Sequence, residues 1–291
     1  MGQDLNLMMD LKKVVDEMAK NVDPYENMQI TAENIFQPAK KNNRVIFKKH
    51  LDTLIKEGSG VIGKENLIEF YENFKKGKSS LILSEHKSNF DVPVFYAVMY
   101  NQEPLLQEIF ESIAFIAGRK LNEEAIFVKL MAEQFNRVIV VPKSETKDAS
   151  EEEISEAIKI NMTTQNFIKH HRNQYIFLVF PTGTRAKSWD RETYKGIREV
   201  VNYIKSFDQA IFMSINGNCM VPLQTNMSSE PPRKNRIEII FSKPFETKNF
   251  LQSLRKDFDQ QKEEGDFKQF TINRVMDSIY GQKGIMPWDE K

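Results

Sequence analysis

Cysteine is nearly absent from this chain: 291 residues contain one, Cys219. A lone thiol excludes an intramolecular disulfide and a multi-cysteine zinc site. No run of about 18 apolar residues occurs, so no transmembrane helix is expected. The start, Met1-Gly2-Gln3-Asp4-Leu5, lacks the charged-then-apolar pattern of a secretory signal. Asn6 stands where a myristoylation signal needs Ser or Thr. Neither sign of charge is in excess: Lys plus Arg and Asp plus Glu number 41 each. Overall charge therefore gives no argument for a nucleic-acid partner. Internal repeats and low-complexity tracts are missing. So is a Gly-x-Ser-x-Gly elbow, which argues against a serine hydrolase. The default expectation is a water-soluble, cytoplasmic protein.

What is present is ordinary for a globular chain, with 40% hydrophobic and 28% charged residues. The first sixty residues read as helical, from the spacing of Leu7, Leu11, Val14 or Val15, and Met18, then of Phe47, Leu51, Leu54 and Ile55. Pro24 and Pro38 mark breaks, and Gly58-Ser59-Gly60 reads as a linker or tight turn. Lys40, Lys41, Arg44, Lys48 and Lys49, then Lys75, Lys76 and Lys78, form basic clusters, read as solvated helix faces or a docking patch for an acidic protein or anionic membrane. From residue 64 the pattern changes. A helix over 64–76 precedes short apolar runs at Leu81–Leu83, Ala114–Ala117, Val138–Val141, Ile176–Phe180, Ala210–Ile215 and Ile237–Phe241. Helix-length segments lie between most of them, notably 122–135, 151–171 and 190–206. Beyond Thr247 two more helices are split near Gly265. This alternation predicts an α/β fold with a mixed, largely buried sheet flanked by helices. A small helical domain over 1–60 and an α/β catalytic domain over 61–291 are the expected division.

The chemistry gathers after the strand candidates. His86 and Asp91 follow the first; Gly118, Arg119 and Lys120 the second; Pro142 and Lys143 the third. Pro181, Thr182, Gly183, Thr184, Arg185 and Lys187 follow the fourth. In open α/β sheets the functional crevice lies outside the carboxyl ends of the strands. A histidine takes a proton from a hydroxyl near neutral pH, and a carboxylate fixes its tautomer. Glycine brings backbone amides close to an anion, and arginine binds phosphate oxygens as a fork. His170-His171 has no supporting ligand spacing, so neither a metal nor another cofactor is expected.

In order, His-x4-Asp, a Gly/Arg segment, Phe-Pro-x-Gly-Thr-Arg and Val-Pro-Leu (Val221–Leu223) resemble the glycerolipid acyltransferases, and most of all the soluble, plastid-type glycerol-3-phosphate acyltransferases. Those proteins carry a small amino-terminal helical domain, a helix before the histidine motif and no membrane span. The chain departs from their pattern in places. Glu85 stands where Asn is usual, and Lys120 and Lys187 stand where arginines are usual. Thr182 matches the small hydroxyl residue of the plastid type rather than the Glu of the membrane-bound type.

The resemblance implies direct acyl transfer from a thioester, with no covalent enzyme intermediate, in phospholipid synthesis. His86 would be the base and Asp91 its orienting partner. Arg185, Lys143 and Lys187, with Gly183, Thr184 and either Arg119 or Lys120, would hold the acceptor's phosphate. Phe90, Val94, Phe95 and Met99 are candidates for an acyl trough, or ordinary core. The implied partners are glycerol 3-phosphate and an acyl-acyl carrier protein or acyl-coenzyme A, with peripheral contact at a membrane surface. 1-Acylglycerol 3-phosphate is the alternative acceptor, and a catalytically silent phospholipid-binding relative the alternative role.

Overall fold

Leu81 and Leu83 pack with one apolar cluster while Ile82, between them, packs with another. That two-residue alternation requires a sheet covered on both faces. The computed structural model describes residues 2–23, 25–26, 28–123, 126–185, 195–221, 230–261 and 265–282. In chain order the elements begin with helix α1 (Gly2–Ala19), strand β1 (Phe36–Gln37), α2 (Arg44–Leu54), β2 (Gly60–Ile62), α3 (Lys64–Lys75) and β3 (Ser80–Ser84). Next come α4 (Asp91–Tyr100), α5 (Pro104–Glu111), β4 (Ile113–Gly118), α6 (Lys120–Glu123), α7 (Ile126–Ala132), β5 (Arg137–Val140) and α8 (Glu151–His171). The described chain closes with β6 (Ile176–Val179), α9 (Val200–Ile204), β7 (Gln209–Asn216), β8 (Glu238–Phe241), β9 (Phe245–Glu246), α10 (Thr247–Gln260) and α11 (Phe267–Gly281).

The strands form one mixed sheet in the order β1-β5-β4-β6-β3-β7-β8-β2, with β9 paired to β7. Five central strands, β5-β4-β6-β3-β7, run parallel. Their carboxyl ends therefore open on one edge of the molecule. Strands β1 and β8 are antiparallel to their central neighbours. On one face α1 to α5 bury Leu11, Met18, Phe47, Leu67, Phe95 and Ile109 against Ile82, Leu178 and Ile211. On the other, α8, α9 and α11 bury Ile160, Val201 and Ile272 against Leu81, Leu83 and Val179. The mixed α/β fold read from the sequence is the observed one.

Local details differ. Of the helix expected over 122–135, the described residues form the end of α6 and α7, and residues 124–125 lie outside the described residues. Of the helix expected over 190–206, residues 190–194 lie outside the described residues, and among the described ones the α-helix is confined to α9. Gly58 makes the expected turn with φ +81°, but Gly60 enters β2 instead of ending a linker. Its N–H donates to Ile237 O at 2.9 Å, because the outer edge of β8 needs a partner. The proposed trough residues Phe90, Val94, Phe95 and Met99 are buried inside the core, where Phe90 meets Phe47 edge-on and Phe95 meets Phe110.

Cys219 follows β7 and is buried, its Sγ 3.8 Å from Leu54 O. Burial pushes its thiol up to about 12, so at neutral pH almost none is thiolate, the reactive form. The folded protein should accordingly resist an aromatic disulfide reagent and release one equivalent of thiol only in denaturant; rapid labelling of the native protein would contradict the packing.

Candidate active site

Strand β3 ends at Ser84 and α4 opens at Asp91, so residues 85–90 must turn the chain at the carboxyl edge. The turn is organised on one carboxylate. Asp91 Oδ2 lies 2.8 Å from His86 Nδ1 and accepts from Lys87 N at 2.5 Å. Ser88 N reaches both oxygens at 3.1 Å, and Ser88 Oγ donates to Oδ1 at 3.2 Å. A carboxylate that accepts throughout takes its bond from the ring as Nδ1–H, which leaves the lone pair on His86 Nε2. One imidazole face stacks on Phe180 just beyond β6, with centroids 4.1 Å apart and planes 19° from parallel. Asp91 is 3% exposed while the His86 side chain keeps 21%. The ring therefore reaches solvent and its orienting group does not.

The residues on either side of His86 are charged and buried, and both hold the end of β7. Glu85 accepts from Ile215 N through Oε1. Lys87 Nζ donates to Ile215 O at 3.0 Å and to Gly217 O at 3.1 Å. Gly217 has φ +77°, and a Cβ there would meet Arg236 O at 1.9 Å, so only glycine fits this turn. The Glu at 85 is thus accounted for by its bond to a backbone N–H of the neighbouring strand.

The loop after β6, the strand next to β3, brings Gly183, Thr184 and Arg185 to the same edge. Gly183 adopts φ +64°, its N–H donating to Phe180 O at 2.9 Å. Thr182 Oγ1 donates to Thr184 O at 2.8 Å and braces the turn. Arg185 is buried and its Nη1 lies 2.5 Å from Glu230 Oε1, itself fully buried. Asn89, inside the histidine loop, donates to Glu230 Oε2 at 3.4 Å. Glu230 arrives because the chain returns beside the end of β7. Val221 N donates to Pro231 O at 3.0 Å, and Arg233 N donates to Cys219 O at 2.9 Å.

The other expected cations lie farther along the edge. β4 is two strand positions from β3 and β5 three, which at ~4.8 Å per strand puts β5 about 14 Å away. Lys143, just beyond β5, has a 79% exposed side chain and pairs with Glu199 at 2.6 Å. That ammonium holds the Glu199 carboxyl below its usual range. Arg119 Nε is 3.4 Å from both Glu123 and Glu145, in a cleft of about 700 Å³ also walled by Glu153 and Glu156. Burial pushes the Glu145 carboxyl up, against the pull of Arg119 and Lys120. Lys120 opens α6 on the surface. Lys187, like Pro222 and Leu223, lies outside the described residues. The structure thus brings Arg185 to the loop after β6, the strand next to that of His86, and sets Arg119, Lys120 and Lys143 among carboxylates farther along the edge.

Sequence reasoning missed Phe180, Lys87 and Glu230. Phe180 and Lys87 stood within the motifs, and only their contacts were hidden. Glu230 carried no spacing signal, since it is 45 residues past its partner in a Pro-rich return. Among known protein families, the model described as Acyltransferase matches residues 66–222, just over half of the chain. No curated protein matches it.

Lys87→Met should cost about 2–3 kcal/mol, the worth of a charged buried hydrogen-bond donor. Denaturant unfolding measures this, and unchanged stability would show that the grip on β7 is idle. Gly183→Ala should cost about 1–2 kcal/mol for the left-handed φ alone. A variant as stable as the parent would contradict the turn.

Proposed function

Because the chain belongs to the Acyltransferase family, we propose that it moves a fatty acyl group from a thioester onto a hydroxyl of glycerol 3-phosphate, with His86 as base and Asp91 as its orienting partner. The observation that carries this reading is the 2.8 Å bond between His86 Nδ1 and Asp91 Oδ2, on a ring whose other nitrogen carries the lone pair. Nε2 takes the hydroxyl proton as the oxygen attacks the thioester carbonyl. Asp91 steadies the imidazolium that forms. The tetrahedral adduct then collapses, the C–S bond breaks, and the sulfur leaves as a thiol with the proton returned from Nε2. Atoms and charges balance without a covalent enzyme intermediate or a cofactor.

Arg185 is the first candidate to hold the acceptor's phosphate, since its loop lies on the strand beside His86. Gly183 and Thr184 line the same turn. Lys143, Lys187, and Arg119 or Lys120 would raise the positive potential along the edge. Holding the phosphate makes the attack effectively unimolecular, which removes on the order of 7–11 kcal/mol from a barrier when the orientation is good. The donor is coenzyme A or an acyl carrier protein. A carrier protein would have to compete for the amino-terminal cations, since Lys40 pairs with Glu26, Lys41 and Arg44 with Glu111, and Lys48 with Asp52. No helix among the described residues is long and apolar enough to cross a membrane.

His86→Ala should lower acyl transfer by a factor of about 10²–10⁴, the usual worth of a general base, with little change in the donor's KM. Near-normal turnover would sink the assignment. The wild-type protein supplied in turn with glycerol 3-phosphate, 1-acylglycerol 3-phosphate and glycerol should prefer the first; preference for the acylated acceptor would move the reading to the second step of phospholipid synthesis.

A further inference from the structure

Arg185 is ion-paired within the protein. Its guanidinium Nη1 lies 2.5 Å from Glu230 Oε1, and both side chains are out of solvent, at 7% and 0% exposure. Water does not screen such a pair, so the carboxylate is held tightly. Glu230 is placed for this from two sides. The returning chain at 231–233 is bonded to 219–221, and Asn89 of the histidine loop reaches its other oxygen at 3.4 Å. One carboxylate thus touches the phosphate candidate and the loop that carries the base. A phosphate brought to Arg185 meets a negative charge already seated there, and gains the guanidinium only by displacing or repelling it.

We propose that Glu230 is a specificity-determining residue: an internal competitor for the acceptor's phosphate that pairs with Arg185 and sets how strong an anion must be to take its place. This rests on the reading of Arg185 as a phosphate ligand. A dianionic phosphate monoester competes well with a carboxylate for a guanidinium, because it brings twice the charge and a matching fork of oxygens. A monoanionic diester or a carboxylate competes poorly. The buried glutamate therefore selects a terminal phosphate over a headgroup-capped one.

The test is direct binding by calorimetry, using glycerol 3-phosphate, inorganic phosphate and glycerophosphocholine as probes. Glu230→Gln keeps the shape and a hydrogen-bond acceptor but removes the charge. It should bind glycerol 3-phosphate and inorganic phosphate about tenfold more tightly, a change of about 1.4 kcal/mol. It should gain at least as much for the diester, and leave the acyl donor's KM in place. A merely structural glutamate would do the opposite, weakening every ligand. If the amide variant does not fold, Glu230→Ala, which leaves room for water beside Arg185, takes its place with the same expected sign. Anion binding that is unchanged or weaker in the folded variant overturns the proposal. A wild-type protein that binds neither glycerol 3-phosphate nor inorganic phosphate would instead refute the phosphate-acceptor reading, so the two failures are distinct.

Discussion

The carboxylate of Asp91 is the interaction on which the candidate site depends. Six residues must cross from β3 to α4, and a turn of that length has many conformations. Asp91 reduces them by accepting from the backbone of Lys87 and Ser88, from the Ser88 hydroxyl and from the His86 ring. The group that orients the base is therefore the same group that folds its loop. A histidine and an aspartate five positions apart in a flexible segment would have no such fixed relation. Here the first turn of a buried helix sets the position of one, and hydrogen bonds carry that position to the other.

How much of this the sequence revealed follows from the range over which each feature is encoded. The central strands were legible because each is a run of apolar residues long enough to interrupt helical periodicity, as Leu81–Leu83 and Ile176–Phe180 do. Strands β1, β2 and β9 have only two or three residues each, too few for any period to appear. They exist because edge carbonyls and amides of longer strands need partners. At the site, His86 and Asp91 were visible as a local spacing, and Arg185 as part of a turn. Glu85 stood out only as a departure from the family pattern and Lys87 not at all, since their roles lie in bonds to residues about 130 positions away. Glu230 was invisible for the same reason.

Charge balance is the second organising constraint. The chain has no net charge, and that equality is reproduced locally instead of only on average. Arg44 is sunk against Tyr96 and Phe135 with Glu111 as counter-ion, and Lys129 and Glu133 are both buried 3.2 Å apart. The same habit extends along the carboxyl edge of the sheet, where Arg119, Lys143 and Arg185 each face a glutamate. Clusters that look basic in the sequence are therefore interleaved with acids in space. The potential offered to an incoming anion depends on how readily those acids yield.

The grip of Glu85 and Lys87 on β7 ties the base to a turn that only glycine allows. Lys87 bonds the carbonyl of Gly217, whose backbone is pressed against Arg236 O. Mechanically, residues 85 to 87 and 215 to 217 thus behave as one unit split across the chain. A change at Glu85, Lys87 or Gly217 therefore shifts the seat of the histidine without touching it.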